Sequence, residues 1–387
     1  MIPFSRKATM KIKRYVKFSG YTACLLSLVF ILAFVGSFAL ADTQAARVTQ
    51  LASPEVECSL WSIDTRTAVC RRGTPLAEAG IRVFKKVDGC WQDTSREELA
   101  AVDKNIPLVV FFHGMWLNQA EGREEGMQLY RCLKQHASGR PFQFVIWSWP
   151  AMKQQCGPRR DIHTKMARTD TQAFYVAQWL DTLPEDRPIC LIGYSLGARV
   201  VSGSLELMGG GTICGQSLES VGLTGPAGEV RVLKGPEEVR VLEGPGEVRV
   251  LKGPGETQGE SMTPVVPRRS IRAALVAAAI DSGSFLPGHQ NGQALSQVER
   301  ILVTRNSRDH VLRWYPMLYR GSRPRAMGFA GPACSSRLGP DGDRLEVLPV
   351  SCSVGRQHYW KSYLRSCTLR AELSELALEP SSASTGD

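Results

Sequence analysis

Along this chain, short unbroken apolar runs alternate with longer segments whose apolar residues recur every three or four positions. The runs are Leu108 to Phe112 after Pro107, Phe142 to Trp149 ahead of Pro150, Ile189 to Ile192, Ala273 to Ile280, Arg300 to Arg305 and Leu345 to Val350. An unbroken apolar run is the mark of a strand covered on both faces. Helical spacing predicts one helix from Gln119 to about Gln135, with Met127, Leu129, Tyr130 and Leu133 as its stripe. It predicts a second over His163 to Leu183 and a third reaching Met208. Short helices are expected from about Asp309, stopping before Pro316, and around His358 to Leu364. Strands alternating with helices imply an α/β fold: a mostly parallel sheet with helices on both faces.

Three segments break this rhythm. Residues 42–104 read as a small extended lead-in, although Ile81-Arg82-Val83-Phe84 is strand-like. Within the main domain, 105–370, the stretch 209–268 is a low-complexity insertion. A nine-residue unit recurs in it at Glu229 to Pro236, Glu238 to Pro245 and Glu247 to Pro254, with Val-Arg-Val-Leu strand-like and Gly-Pro interrupting each copy. Surface loops absorb such duplications at little entropic cost, so a mobile insertion of fraying hairpins is expected. Residues 371–387 are acidic and Ser-rich and read as a disordered tail.

Charge changes the picture mainly at the start. Of 47 basic residues, Arg6, Lys7, Lys11, Lys13, Arg14 and Lys17 fall in the first 41 residues, which hold no acid; the rest of the chain sets 41 against 37 acidic residues. That balance excludes a nucleic-acid protein. A basic stretch to Lys17, an apolar run from Ala23 to Val35 and Ala39-Leu40-Ala41 together read as an export signal peptide over 1–41. An uncleaved anchor is the alternative, since Phe18 to Ala41 is uncharged and long enough to span a bilayer. Either reading puts the body outside the cytoplasm, periplasmic, enveloped or secreted.

Removing Cys24 leaves ten of eleven cysteines, an even number that suggests disulfides in an exported chain. Proximity suggests Cys58 with Cys70 and Cys334 with Cys352. No Cys or His spacing suits zinc, and no cofactor is expected.

The candidate chemistry sits in Gly193-Tyr194-Ser195-Leu196-Gly197, between an apolar strand and a helix. A nucleophilic serine must stand on a strained strand-to-helix turn whose flanking positions admit no side chain. The following helix aims free N–H groups at a developing oxyanion. A serine needs a base and the base an orienting acid. In a parallel sheet such groups gather beyond the carboxyl ends of the strands. His358, after the last strand, is the candidate base. Asp309, past the Arg300–Arg305 strand, is the candidate acid, with Asp281 as the alternative. Leu196 is one oxyanion donor, and Gly114 or Met115 in His113-Gly114-Met115 the second. His113 reads as shaping that turn.

Phe112-His113-Gly114, Trp147-Ser148-Trp149-Pro150, Gly193-Tyr194-Ser195-Leu196-Gly197, Asn306-Ser307-Arg308-Asp309 and His358 together resemble the α/β-hydrolase superfamily. With Asp161 a dozen residues beyond Ser-Trp-Pro, the pattern is similar to bacterial α/β hydrolases of unknown function. The resemblance covers roughly 105–365 and implies Ser195 as nucleophile, Asp309 as acid and His358 as base. The Gly-Pro repeat has no counterpart in the family pattern. The expectation is an exported serine hydrolase of carboxylic esters, small or lipid. Its competitor is a non-catalytic envelope protein that binds a partner through the repeat.

Overall fold

The computed structural model describes residues 58–69, 71, 74–219 and 269–379, with the backbone of three strands between 232 and 252. The expected export segment lies outside these residues. The elements are β1 (Ser59–Asp64), β2 (Arg82–Val87), β3 (Cys90–Thr94), α1 (Arg96–Ala100), β4 (Leu108–Phe112), α2 (Gln119–His136), β5 (Gln143–Ser148), α3 (Pro158–Asp181), β6 (Ile189–Tyr194) and α4 (Leu196–Met208). After them come β7 (Val232–Lys234), β8 (Glu238–Glu243), β9 (Glu247–Lys252), β10 (Ile271–Val276), β11 (Arg300–Arg305), α5 (Met327–Ala330), β12 (Leu345–Pro349), α6 (Ser351–Val354), α7 (Trp360–Tyr363) and α8 (Cys367–Leu378).

One nine-stranded sheet runs in the order β12-β11-β10-β6-β4-β5-β1-β2-β3. The strands from β12 to β1 are parallel, and β2 and β3 continue antiparallel. Its central strands are the unbroken apolar runs: every residue of β4, β5, β6 and β10 is buried. α3 packs on α4, and α2 on α8. Right-handed crossovers put the first pair on one face and the second on the other. The fold class is therefore α/β with helices on both faces, as the alternation implied, and is consistent with the α/β-hydrolase fold.

The chain leaves β4 toward β5 on one side and later places β6 on the other. The crevice of such a sheet opens at this reversal, beyond the carboxyl ends of the strands. The turn after β4 and the turn after β6 therefore face each other across it.

Several expectations change. Residues 58–104 are not an extended lead-in, because β1 pairs in parallel with β5 and carries β2 and β3 as the sheet's edge. Trp61 and Ile63 of β1 are buried. α3 starts at Pro158, five residues earlier than the apolar spacing indicated, because Gly157 (φ 83°) turns the chain and a proline suits the first helical position. After Asp309 the chain forms a 3-10 helix, Leu312–Leu318, that runs through Pro316. A 3-10 helix is short and bonds i to i+3, so the missing proline N–H removes one bond without ending it.

The expected disordered tail begins too early, since α8 extends to Leu378 and buries Leu373, Leu376 and Leu378. Residues 380–387 lie outside the described residues. The described cysteines form no disulfide: Cys58, Cys334 and Cys352 are free thiols, and Cys70 is not among the described residues. Nearness in sequence does not bring two Cβ atoms to bonding geometry. Cys334 precedes a 3-10 turn in left-handed conformation, whereas Cys352 lies on α6. Cys190, inside β6, is buried enough that its thiol is pushed up to about 12.

The three repeat copies contribute β7, β8 and β9, an antiparallel three-stranded sheet of its own. The insertion leaves after α4 and returns into the start of β10. Both attachment points lie at the end of the sheet opposite the turn after β6.

Candidate active site

Ser195 stands at the junction of β6 and α4 with φ 54° and ψ −116°, a conformation that costs an L-residue about 1–3 kcal/mol. Two backbone bonds across the sheet impose it: the Ser195 N–H donates to Val276 O (2.9 Å), and the Ala279 N–H donates to Ser195 O (3.2 Å). The flanking glycines are required by space. A Cβ on Gly197 would lie 2.1 Å from Phe112 O, and one on Gly193 2.6 Å from Ala198 Cα.

His358 lies between α6 and α7 in a loop tied down on both sides. Tyr194 donates its hydroxyl to His358 O. Two residues on, Trp360 is fully buried against Phe111, ring centroids 4.9 Å apart, and donates its indole N–H to Glu125 O (3.0 Å). The ring thus reaches Ser195, with His358 Nε2 3.0 Å from the Ser195 Oγ. Its Nδ1 lies 2.7 Å from Asp309 Oδ2. A carboxylate only accepts, so Nδ1 carries the proton and Nε2 is left to accept from the serine.

Asp309 is fully buried. Burial works against its charge, but His358, the Leu312 amide and the Tyr363 hydroxyl outweigh it and hold the carboxyl below its usual range. Oδ1 accepts from the Val311 and Leu312 amides at 2.9 and 3.0 Å, and Oδ2 from Tyr363 at 2.9 Å. Asp281 instead accepts from its own turn, at Gly283 N–H (2.9 Å), and bridges to Ala326. Among the described residues no histidine hydrogen-bonds or ion-pairs with it.

On the other side of the crevice, Gly114 packs against the elbow: a Cβ there would lie 2.9 Å from the Tyr194 ring and 3.5 Å from Ser195 Cβ. Its N–H is engaged by the Glu125 carboxyl of α2. The Met115 N–H has no acceptor among the described residues. Leu196, at the first position of α4, has no intrahelical acceptor for its amide. His113 is fully buried, and burial with the nearby Arg66 charge drives it down to about 3. As a neutral ring it donates from Nδ1 to Gly114 O (2.8 Å) and accepts the Trp149 amide at Nε2 (3.3 Å). It shapes the turn.

Arg66, Tyr363 and Glu125 were not visible in the sequence patterns. Arg66, in the turn after β1, donates to Ser148 Oγ (2.8 Å), Leu117 O and Asn118 O (both 3.1 Å). It lies 3.2 Å from His113 Nε2. One guanidinium therefore pins the segment that follows Met115. Asp161 holds the same segment from α3, accepting the Trp116 indole N–H at 2.7 Å and pairing with buried Lys165. Among the described residues no group of three or more His, Cys, Asp or Glu side chains is placed to hold a metal ion.

No family model matches the chain, and neither does any curated protein. Among solved structures the chain is similar to one described as a tributyrin phosphonate inhibited by esterase B from Lactobacillus rhamnosis. The two share 12% identity at a TM-score of 0.28, over 81% of this chain and 86% of that chain.

Proposed function

We propose that the protein is an exported serine hydrolase that cleaves carboxylic esters through an acyl-enzyme. The observation that carries the reading is the unbroken relay from Asp309 through His358 to a serine on a strained turn. Export rests on the charge and apolar pattern of residues 1–41.

In this reading the Ser195 oxygen bonds to the ester carbonyl carbon while His358 Nε2 takes its proton. The carbonyl electron pair moves onto oxygen, where the Leu196 and Met115 amides face it; each such donor is worth about 3 kcal/mol of barrier. As the C–O bond breaks, His358 returns the proton to the departing alcohol. A water molecule then gives a proton to His358, attacks the acyl carbon and releases the acid, and Ser195 recovers its proton. Asp309 keeps the imidazole in one tautomer and stabilises its charged form.

A fluorophosphonate probe tests this directly. Wild-type protein is expected to be labelled at Ser195, and labelling to vanish in Ser195→Ala and His358→Ala without a shift in thermal unfolding. Absence of labelling in folded wild-type protein would sink the catalytic reading and favour a partner-binding role.

A further inference from the structure

Large apolar side chains exposed one by one are ordinary on protein surfaces; a shared location is not. Val69, Trp116, Met152, Trp314, Met317 and Tyr359 are exposed, and each follows the carboxyl end of a parallel strand; Val347, on edge strand β12, is the exception. Those strand ends form one edge of the sheet, the edge that carries Ser195. Trp314 and Met317, 64% and 57% exposed, stand on the short 3-10 helix after Asp309, and Tyr359, 69% exposed, adjoins His358.

The charge that lines the clefts at this edge has one sign. An open cleft of about 750 Å³ between the start of α3 and that 3-10 helix is lined by Arg159, Arg160, His163 and Arg320. A second, of about 560 Å³, is lined by Arg308, His310, Arg313 and Arg356. Neither lining contains an acid. None of these six arginines takes part in an ion pair among the described residues. Of the nearby acids, Asp161, Asp170 and Asp309 are buried, Asp281 beside Tyr319 accepts the Gly283 amide (2.9 Å), and Glu121 accepts the Asn118 amide (2.8 Å) at the start of α2.

We propose that this edge docks on an anionic phospholipid bilayer, with Trp314, Met317 and Tyr359 entering the headgroup layer and the arginines of the two clefts meeting lipid phosphates. Aromatic and thioether side chains interleaved with arginine suit that boundary, where one end of each side chain is apolar and the other wet. A soluble anion would use the arginines and leave the apolar tips idle. A second copy on a twofold axis would set arginine against arginine. The inference goes beyond ester hydrolysis and does not depend on it, although docking would bring lipid ester bonds to the level of Ser195.

Flotation of the full chain with phosphatidylcholine vesicles, with and without phosphatidylglycerol, tests the proposal. The basic N-terminal segment is common to every protein compared, so the readout is what substitution removes. Each arginine near an anionic leaflet contributes about fivefold in affinity. Arg159→Glu/Arg160→Glu/Arg320→Glu is therefore expected to lower binding to phosphatidylglycerol vesicles by at least about a hundredfold. Trp314→Ala/Met317→Ser, at exposed positions that cannot disturb the core, is expected to weaken binding to both vesicle types and to abolish quenching by brominated lipid. Ser195→Ala protein is expected to bind as the wild type does, which separates failure of this proposal from failure of the hydrolase reading. Charge-reversed protein that keeps the wild-type preference would overturn it. So would displacement from vesicles by inorganic phosphate or a single-stranded oligonucleotide with no lipid quenching of Trp314.

Discussion

The groups beyond β11 and β12 and those beyond β4 both lie out of water, yet their charges are set in opposite ways. Asp309 is buried and stays ionised because two amides, a tyrosine and His358 donate to it. Glu125, beside the β4 turn, has one oxygen shut off from solvent with no hydrogen-bond partner among the described residues, and burial raises it to about 8. His113, in the same region, is held neutral down to about 3. Burial alone disfavours charge; the number of donors decides whether a carboxyl keeps it. One side of the crevice thus holds a permanent negative charge against His358, which the proposed mechanism uses as its base. The other holds none beside the turn where the proposed mechanism puts the oxyanion. Acids whose environments push them apart mark the division of roles in a site.

The largest way to break this contrast is to remove the permanent charge. Asp309→Asn keeps the shape but offers His358 an amide that can present the wrong tautomer, and it is expected to lower kcat on the order of 10⁴-fold. Asp281→Asn, which touches only its own turn, is expected to change kcat by less than about tenfold at a position without contact to the relay. Ester-hydrolysis rates of the two variants measured side by side would decide between the acids, and a larger loss for Asp281→Asn would reverse the assignment.

Next in size is the scaffold of the uncharged side. Arg66→Met removes the guanidinium that fixes Leu117 and Asn118, and the Met115 amide is expected to lose its aim. A misplaced oxyanion donor costs about 10²-fold in kcat. The loss should fall on kcat and leave KM nearly unchanged. A pure stability effect, with kcat per folded molecule intact, would show that Arg66 only braces the sheet.

Why Arg66 escaped the sequence while Ser195 did not follows from how each is specified. Gly193 and Gly197 are required by contacts within a few residues of the serine, so the constraint is written locally and can be read. His358 and Asp309 were placed by a topological rule: they follow parallel strands, and such strands share an edge. Arg66 acts across 47 residues of chain on His113 and 52 on Asn118, through a strand that the polar and mixed lead-in concealed. Tyr363 reaches Asp309 across 54 residues. Neither has a spacing that marks it. The cysteines show the same limit from the other side, because pairing is a property of Cβ geometry and proximity in sequence did not stand in for it. The acidic composition of the last residues likewise hid Leu373 and Leu376, whose apolar contacts hold α8 in place.

The smallest expected effect is also the one that isolates the neutral side. Glu125 engages the Gly114 amide and lies near Tyr194, and its carboxyl changes charge at about 8 where an exposed glutamate does so near 4.5. Below pH 8 it stays protonated and adds no charge beside the turn to which the proposed mechanism assigns the oxyanion. Above pH 8 it ionises, and its field opposes the charge forming in the transition state. Wild-type kcat is expected to fall through that range, whereas Glu125→Gln, neutral at every pH, should show no such limb and differ by less than about threefold at pH 7. Stability should follow with a defined sign. Between pH 4.5 and 8 the folded protein holds a proton that the unfolded chain has lost. The contribution of protonated Glu125 is therefore fully present below pH 4.5 and is lost as pH rises through 8. The melting temperature of the wild type relative to Glu125→Gln should decline over that window and level off above it. Parallel curves for the two proteins would mean that Glu125 titrates as an exposed acid does, and the contrast between the two sides of the crevice would then rest on Asp309 and His113 alone.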